Sequence, residues 1–330
     1  MLNIISDFIK GILPTKKKTT PSGWTSFNGV CCPHNGESAD TRGRGGLTAN
    51  TDGSVSYHCF NCNFKASYQP GRHLTFKFRK LLKWLGADDT DIKRLVIEAI
   101  RVRELVAPEE VKAEAEEEKI EFKVRDLTDD AVNLVALDYV HPALEYCVAR
   151  KIDIAKHAFY ATRQEQYNLH KRIIIPFVWQ GRTIGYTARA FEENVKPKYH
   201  SNYEPNFVFN INNQQADSKF VIVCEGPFDA MSIDGVAVLN NECNETQADI
   251  IESLGREVIV VADRDRAGAK MINNAIEYGW SVSYPVWLET CKDVNEAVVK
   301  YGRLFVLKSI LDAKQTSKLK IELMKKKLYA

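Results

Sequence analysis

From Lys219 onward the chain alternates between two kinds of segment, and this alternation limits the folds open to it more than any other feature. KFVIVC, VAVLN, EVIVVA and SVSYPVW are short, apolar, largely β-branched runs, as expected of strands buried on both faces. Between them lie PFDAMSI, TQADIIESLG and RAGAKMINNAIEYG, with apolar residues at helical spacing. This order predicts a small doubly wound α/β unit with a parallel sheet. Three strands run into acid: Glu225 follows KFVIVC, Asp263 and Asp265 follow EVIVVA, and Asp293 lies in CKDVNEA with Asn295 and Glu296 nearby. Ligands of such sheets bind beyond the carboxyl ends of the strands, so these carboxylates are expected on one edge. Crowded there they repel one another unless a cation intervenes, and hard oxygen donors suit Mg2+ or Mn2+. The Asp-x-Asp spacing lets residues 263 and 265 face the same way on an extended segment. Gly226 and Gly268 permit close backbone approach. Each acid alone also reads as an N-cap for the helix that follows, but that reading explains the combination poorly.

A second constellation lies near the N-terminus. Cys31-Cys32-Pro33-His34 is followed, after 24 intervening residues, by Cys59-Phe60-Asn61-Cys62. Cys31 with His34 gives C-x-x-H, and Cys59 with Cys62 gives C-x-x-C. Two short-spaced pairs on tight turns bring four ligands to one tetrahedral structural Zn2+, which would supply much of the local folding energy. Cys32 and His58 adjoin these ligands; either can replace its neighbour, and the spacing does not choose between Cys31 and Cys32. Cys147, Cys224, Cys243 and Cys291 are scattered and read as buried thiols. Between the pairs, Arg42 and Arg44 stand among glycines in what reads as a flexible basic loop, flanked by Trp24, Phe27, Tyr57 and Phe60. Basic groups beside aromatic rings suit a single nucleic-acid strand, whereas Phe27 and Tyr57, on strand-like stretches, are expected in the ribbon's own core.

With 330 residues, 45% of them apolar, the chain has material for two or three domains. Its net charge of +2 conceals blocks: 16 Lys and Arg against 9 Asp and Glu over 1–106, 2 against 7 over 107–121, and 8 against 2 over 301–330. Basic ends around an acidic middle suggest a polyanionic partner. The opening MLNIISDFIKGILPTKKK reads as an amphipathic helix stopped at Gly11 and Pro14. Its basic cluster follows the apolar run, the reverse of a secretory signal. No stretch has the length of a membrane span, so a cytoplasmic location, without disulfides, is expected. A helix is predicted from Asp89 to about Leu105, followed by APEEVKAEAEEEK, a linker or exposed helix. The next block, from Phe122, is expected to open helical with Thr128 as N-cap. RIIIPFVWQGRTIGYTARAF reads as two strands joined at Gln180-Gly181. The tail from about Leu304 is helical and rich in lysine.

Glu225-Gly226-Pro227-Phe228-Asp229-Ala230 and Asp263-Arg264-Asp265-Arg266-Ala267-Gly268 resemble the two signatures of the Toprim domain, found in bacterial-type primases, topoisomerases and some nucleases. Arg172-Ile173-Ile174-Ile175-Pro176, Gly185-Tyr186-Thr187-Ala188-Arg189 and Pro197-Lys198-Tyr199 are similar to the basic N-terminal half of the primase polymerase domain. Lys292-Asp293-Val294-Asn295-Glu296 resembles the third acidic motif. With the ribbon upstream, the whole is most similar to the DNA primases of T-even-type bacteriophages. It lacks the phosphate-binding GxxxxGK[ST] loop of a fused helicase and a long helicase-binding domain after Tyr301.

The resemblance implies a zinc ribbon over 1–85, a helix and acidic linker over 86–121, a basic α+β subdomain over 122–218, a Toprim catalytic subdomain over 219–300 and a basic helical tail over 301–330. It implies synthesis of short RNA primers from NTPs on single-stranded DNA, in partnership with a replicative helicase and a single-strand-binding protein. Location would be the cytoplasm, that of the host cell if phage-encoded. Glu225, Asp263 and Asp265 would be catalytic and, with Asp293, would hold Mg2+ or Mn2+, Glu225 serving as base or metal ligand. Arg172, Arg189, Lys198, Arg42 and Arg44 would bind template or nucleotide. Arg264 and Arg266 would pair with the carboxylates or touch phosphate, pairing being the more economical. The same carboxylates also fit a Toprim nuclease, and the ribbon alone fits a non-catalytic binder of single strands. A topoisomerase would need a further large domain carrying a catalytic tyrosine.

Overall fold

The computed structural model describes residues 3–105, 121–137, 139–162, 168–215 and 217–328. The chain divides into two compact units, Met1–Glu118 with Ala248–Glu257, and Lys119–Gln247 with Val258–Ala330.

The first unit opens with helix α1 (Ile4–Ile12), which ends where Leu13 turns extended ahead of Pro14. Strands β1 (Lys17–Thr19), β2 (Thr25–Phe27), β3 (Gly45–Ala49), β4 (Val55–Cys59) and β5 (Lys65–Tyr68) then form an antiparallel sheet in chain order. Helix α2 (Phe76–Trp84), unforeseen in the sequence, starts at Thr75, whose side chain accepts the Phe78 N–H. Helix α3 (Asp89–Leu105) has the span its periodicity predicts. The acidic linker after it lies outside the described residues. Alternation along β4 turns Val55, Tyr57 and Cys59 inward, onto a core with Phe27, Leu47, Phe78, Leu81 and Leu95. Phe27 and Tyr57 are thus core residues, as expected of them.

The second unit holds two sheets. Thr128 opens a turn, its carbonyl accepting the Ala131 N–H, and leads into strand β6 (Ala131–Asn133) rather than a helix. The first helix of this unit is α4 (Pro142–Ala149), capped by His141. It precedes β7 (Tyr160–Thr162), β8 (Arg172–Trp179), β9 (Arg182–Ala190) and β10 (Tyr199–Asn202), giving the antiparallel order β10-β9-β8-β7-β6. The β8–β9 hairpin turns at Gln180 and Gly181, both with positive φ (48° and 77°), as a tight two-residue hairpin requires.

The α/β segment follows: β11 (Phe220–Cys224), α5 (Pro227–Ile233), β12 (Val236–Ala237), α6 (Glu245–Ser253, which from Ala248 counts with the first unit), β13 (Glu257–Val260), α7 (Gly268–Tyr278) and β14 (Ser281–Ser283). Helices α8 (Val294–Tyr301) and α9 (Arg303–Asp312), strand β15 (Lys314–Gln315) and helix α10 (Lys318–Leu328) complete it. The sheet order is β12-β11-β13-β14-β15; β11 pairs parallel with β12 and β13 with β14, and β15 closes the edge antiparallel. SVSYPVW is strand only over its first three residues, because Pro285 lacks the N–H to continue and caps a 3-10 turn over Val286–Glu289. Ile222, Cys224, Ile259 and Val261 pack with Trp287, Leu288, Val294, Val298, Val306 and Ile310. Among the described residues no helix is long and apolar enough to cross a membrane.

Candidate functional site

The β11 and β13 chains end side by side, and their acids meet. Glu225 directly follows β11; its Oε1 accepts the backbone N–H of Asp263 at 3.0 Å. Asp265 Oδ1 accepts the Gly268 N–H at 2.9 Å, closing the turn into α7. Asp293 is the N-cap of α8, its Oδ1 accepting the Glu296 N–H at 2.8 Å. A fourth acid, Asp229 in the first turn of α5, is 7% exposed and accepts the Asn295 N–H at 2.9 Å. Each of these four carboxylates therefore has one oxygen fixed by a main-chain donor. The glycines are spatial necessities. A Cβ on Gly268 would lie 2.1 Å from the Asp263 carbonyl oxygen and 3.1 Å from Glu225 Oε1, and one on Gly226 would lie 2.8 Å from Asp229 Oδ2.

This crowding is legible in the protonation equilibria. Burial, with Asp265 and Asp229 adding to it, pushes Glu225 up to about 7 against the Asp263 N–H. Burial and then the charges of Glu225 and Asp293 push Asp263 up to about 8. Burial, Asp293 and Asp263 hold Asp229 well above the carboxylate range. Hard, mutually repelling carboxylate oxygens are the donor class of a divalent cation: Glu225, Asp265 and Asp293, each anchored by a main-chain N–H, could with Asp263 hold Mg2+ or Mn2+.

Cations rim the edge. Lys292 Nζ lies 3.3 Å from Asp265 Oδ2. Lys198 has its ammonium pushed below the lysine range by partial loss of water and then by Arg189, Arg150 and Lys292. The other predicted basic residues differ from expectation. Arg172 is 2% exposed, donating from Nε to the Asn168 carbonyl at 2.8 Å and from Nη1 to that of Lys198 at 3.2 Å. Arg189, also buried, donates to the Tyr146 and Tyr199 hydroxyls, its guanidinium 5.5, 5.0 and 5.1 Å from the ring centres of Tyr146, Tyr199 and Phe228. Both read in sequence as strand cations facing a ligand, but both point into the interior and are tied to protein groups. Arg264 does not pair with the carboxylates either: it donates to the Leu288 carbonyl at 2.6 Å. Arg266 is exposed and forms no ion pair among the described residues.

Two site residues escaped the sequence reading. Asp229 stands in the first acidic signature, where that motif was its signal. Arg150 had none: it comes from α4's C-cap, 5.1 Å from the Tyr146 ring centre, and donates to Asn295 Oδ1 at 2.7 Å. Asn295 in turn donates to the Arg150 carbonyl and to Ser232 Oγ.

In the first unit, Cys31, Cys32, Cys59 and Cys62 offer sulfurs all within 4.8 Å of one another. Cys31 and Cys62 Sγ are 3.3 Å apart, and Cys32 and Cys59 Sγ 3.5 Å. Zn–S bonds of about 2.3 Å put tetrahedral sulfurs roughly 3.8 Å apart, so the four fit one Zn2+. His34 is not among them. Its ring is exposed and stacks on Trp84 at 4.7 Å with planes 4° apart, and Cys32 stands in its place. The 3-10 turn over Cys32–Asn35 directs consecutive side chains apart and makes this exchange. Tyr57 OH lies 3.3 Å from Cys31 Sγ, and Asn61 Nδ2 donates to Cys32 Sγ at 3.3 Å.

The basic loop is anchored rather than loose. Buried Asp40 accepts the N–H groups of Gly29, Arg42 and Arg44 at 2.8, 2.9 and 2.7 Å and pairs with Arg44 Nε at 3.1 Å. These donors hold its carboxyl well below the usual range, outweighing burial, which acts the other way. The Arg42 side chain is exposed. Phe60, 63% exposed, lies edge-on to Trp24 at 6.1 Å.

Residues 222–298 match the family described as Toprim-like, a span that contains Glu225, Asp229, Asp263, Asp265 and Asp293. Beyond the domain, the chain is similar to the DNA primase of Aquifex aeolicus (strain VF5), 26% identical over 152 residues. That match takes in 40% of this chain but spans only 30% of the relative. Among solved structures, the zinc-binding and RNA polymerase domains of Aquifex aeolicus primase align over 94% of this chain and 83% of theirs, with TM-score 0.45 and 18% identity. The RNA polymerase domain of Mycobacterium tuberculosis primase DnaG aligns over 56% of this chain and 79% of its own, with TM-score 0.46 and 18% identity.

Proposed function

We propose that this protein is a DNA primase that makes short RNA primers from NTPs on single-stranded DNA. The observation that carries the reading is the joined pair Glu225–Asp263, set among Asp265, Asp293 and Asp229 on one sheet edge within a Toprim-like domain. The relative named a DNA primase and the four-sulfur cluster upstream support it.

The reaction joins a primer 3′-hydroxyl to the α-phosphate of an NTP, releasing pyrophosphate. Asp263, Asp265 and Asp293 would hold Mg2+ or Mn2+, which when bound would neutralise charge on the triphosphate and in the transition state. Glu225 keeps Oε1 on the Asp263 N–H and presents Oε2 to the hydroxyl proton; a carboxyl poised near 7 is suited to accept it. Lys198 receives phosphate. Arg189 and Arg150 do not touch substrate. They fix Tyr146, Tyr199 and Asn295, and through Asn295 the orientation of Asp229. Cys31, Cys32, Cys59 and Cys62 would hold a structural Zn2+, and Arg42, Trp24 and Phe60 on that unit meet the template strand. A replicative helicase and a single-strand-binding protein are the partners this activity calls for. The ribbon, linker and polymerase order supports the T-even phage type, acting in host-cell cytoplasm.

The test is incubation of the purified protein with NTPs, Mg2+ or Mn2+ and a library of single-stranded templates, with and without the helicase of the same replication system. Oligoribonucleotides of a few residues are expected. Their absence under every condition overturns the reading, and cleavage of the DNA without NTPs would assign a nuclease instead.

A further inference from the structure

Among the acids of the edge, Asp265 alone has both oxygens engaged by partners among the described residues. Glu225, Asp229 and Asp293 each give one oxygen to a main-chain N–H. Asp265 gives Oδ1 to the Gly268 N–H and Oδ2 to Lys292. Its two partners differ in kind. Gly268 belongs to the backbone of the turn, and a Cβ there would strike the Asp263 carbonyl, so that bond is part of the fold. Lys292 is a long, half-exposed side chain on a half-exposed carboxylate, a pair that water screens and that contributes little. It is a bond that can be given up.

We propose that Lys292 is a resident counter-cation of the acidic edge: it is displaced from Asp265 when a divalent cation binds and is thereby released to the triphosphate of an incoming nucleotide. Oδ2 is the Asp265 oxygen that no main-chain donor holds, so a divalent ion binding there competes with Lys292 for it. The freed ammonium is then repelled by the ion and attracted by the nearest polyanion. Its backbone cannot follow, since the Lys292 carbonyl accepts the Arg264 N–H at 2.8 Å and its own N–H bonds Glu296 Oε2 at 2.8 Å. Only the side chain swings, on a fixed base beside the edge. Metal and nucleotide binding are thus linked through one lysine. This rests on reading the edge as a metal-dependent nucleotidyl-transfer site.

The experiment compares wild type, Lys292→Gln, Arg266→Gln and Asp263→Asn. Mn2+ affinity is measured by electron paramagnetic resonance of free Mn2+, and affinity for α,β-methylene-ATP is then measured at saturating Mn2+. Arg266 is the control for charge alone, being exposed, next to Asp265 in the chain and three residues from Asp263, and without an ion pair among the described residues. Lys292→Gln is expected to bind Mn2+ about two- to fivefold more tightly than wild type, the range of an exposed ion pair. It is expected to bind the nucleotide several-fold more weakly, while Arg266→Gln tightens Mn2+ by less than half as much. Equal tightening in the two variants would reduce Lys292 to bulk charge, and unchanged nucleotide affinity would remove its second role; either result overturns the proposal and leaves the metal site standing. If wild type binds no Mn2+ that Asp263→Asn abolishes, the metal reading of the edge fails, and this proposal with it.

Discussion

The backbone N–H of Asp263 lies 3.0 Å from Oε1 of Glu225, so the acid at the end of β11 is held by the main chain at the end of β13. One carboxylate is positioned by the residue that carries the other. Replacing Asp263 by Asn keeps this bond and removes only a charge that burial and Glu225 already oppose. Asp263→Asn is therefore expected to lose primer synthesis with no fall in melting temperature. Glu225→Gln should lower it about 10²–10⁴-fold, as loss of a general base does. Gel analysis of labelled products beside thermal melting checks both; a variant that melts early would point to a structural role instead.

Glu225 and Asp263, lifted to about 7 and 8, also predict how metal-free stability varies with pH. Unfolded, these groups titrate near 4, so between about pH 4 and 8 the folded state holds more protons. Their contribution is fully present below pH 4 and is lost as pH rises through 7 and 8. In EDTA the melting temperature should fall from pH 6 to pH 8.5, more steeply in wild type than in Asp263→Asn. Mg2+, which binds the ionised carboxylates, should shrink that fall. A flat EDTA profile would contradict the burial described for this edge.

The sulfur cluster discriminates sharply between adjacent residues. Cys32→Ser should lose stoichiometric zinc, measured by atomic absorption on the purified protein, and melt the first unit. His34→Ala should retain about one zinc per chain and lose only its stacking on Trp84. The reverse outcome would restore the C-x-x-H pairing.

Arg172 distinguishes a structural cation from a ligand-binding one. Buried and bonded to the carbonyls of Asn168 and Lys198, it should cost roughly 1.5–3 kcal/mol of stability when changed to Met, the scale of hydrogen bonds to a charged group. Lys198→Ala should leave stability within about 0.5 kcal/mol, as surface changes do, and weaken nucleotide binding. Denaturant titrations and nucleotide affinity at one salt concentration separate the two.

What the sequence made legible follows from periodicity. The strands and helices from Phe220 to Tyr278, and α3 with its full span, are written in apolar spacing, and the acids at strand ends follow from strand direction. What it hid depends on which way a side chain points within an element, or on partners far along the chain. Cys32 and His34 are two residues apart on a 3-10 turn, and only its hand decides which one faces Cys59. Arg172 and Arg189 look like surface charge until Asn168, Tyr146 and Tyr199 fold around them. Thr128-Asp129-Asp130 looks like a helix start because a capping residue and a turn residue have the same chemistry.

Gly226 and Gly268 carry a last consequence, for how a protein of this kind can change over time. Neither glycine is charged or chemically reactive, yet the space beside each is filled by Asp229, Asp263 and Glu225 at 2.8 Å, 2.1 Å and 3.1 Å. The connection through β12 and α6 can grow by many residues at slight entropic cost. One methyl group at residue 268 would push apart the two strand ends that make the site. In such a lineage, activity would more readily survive an inserted loop than a single added carbon.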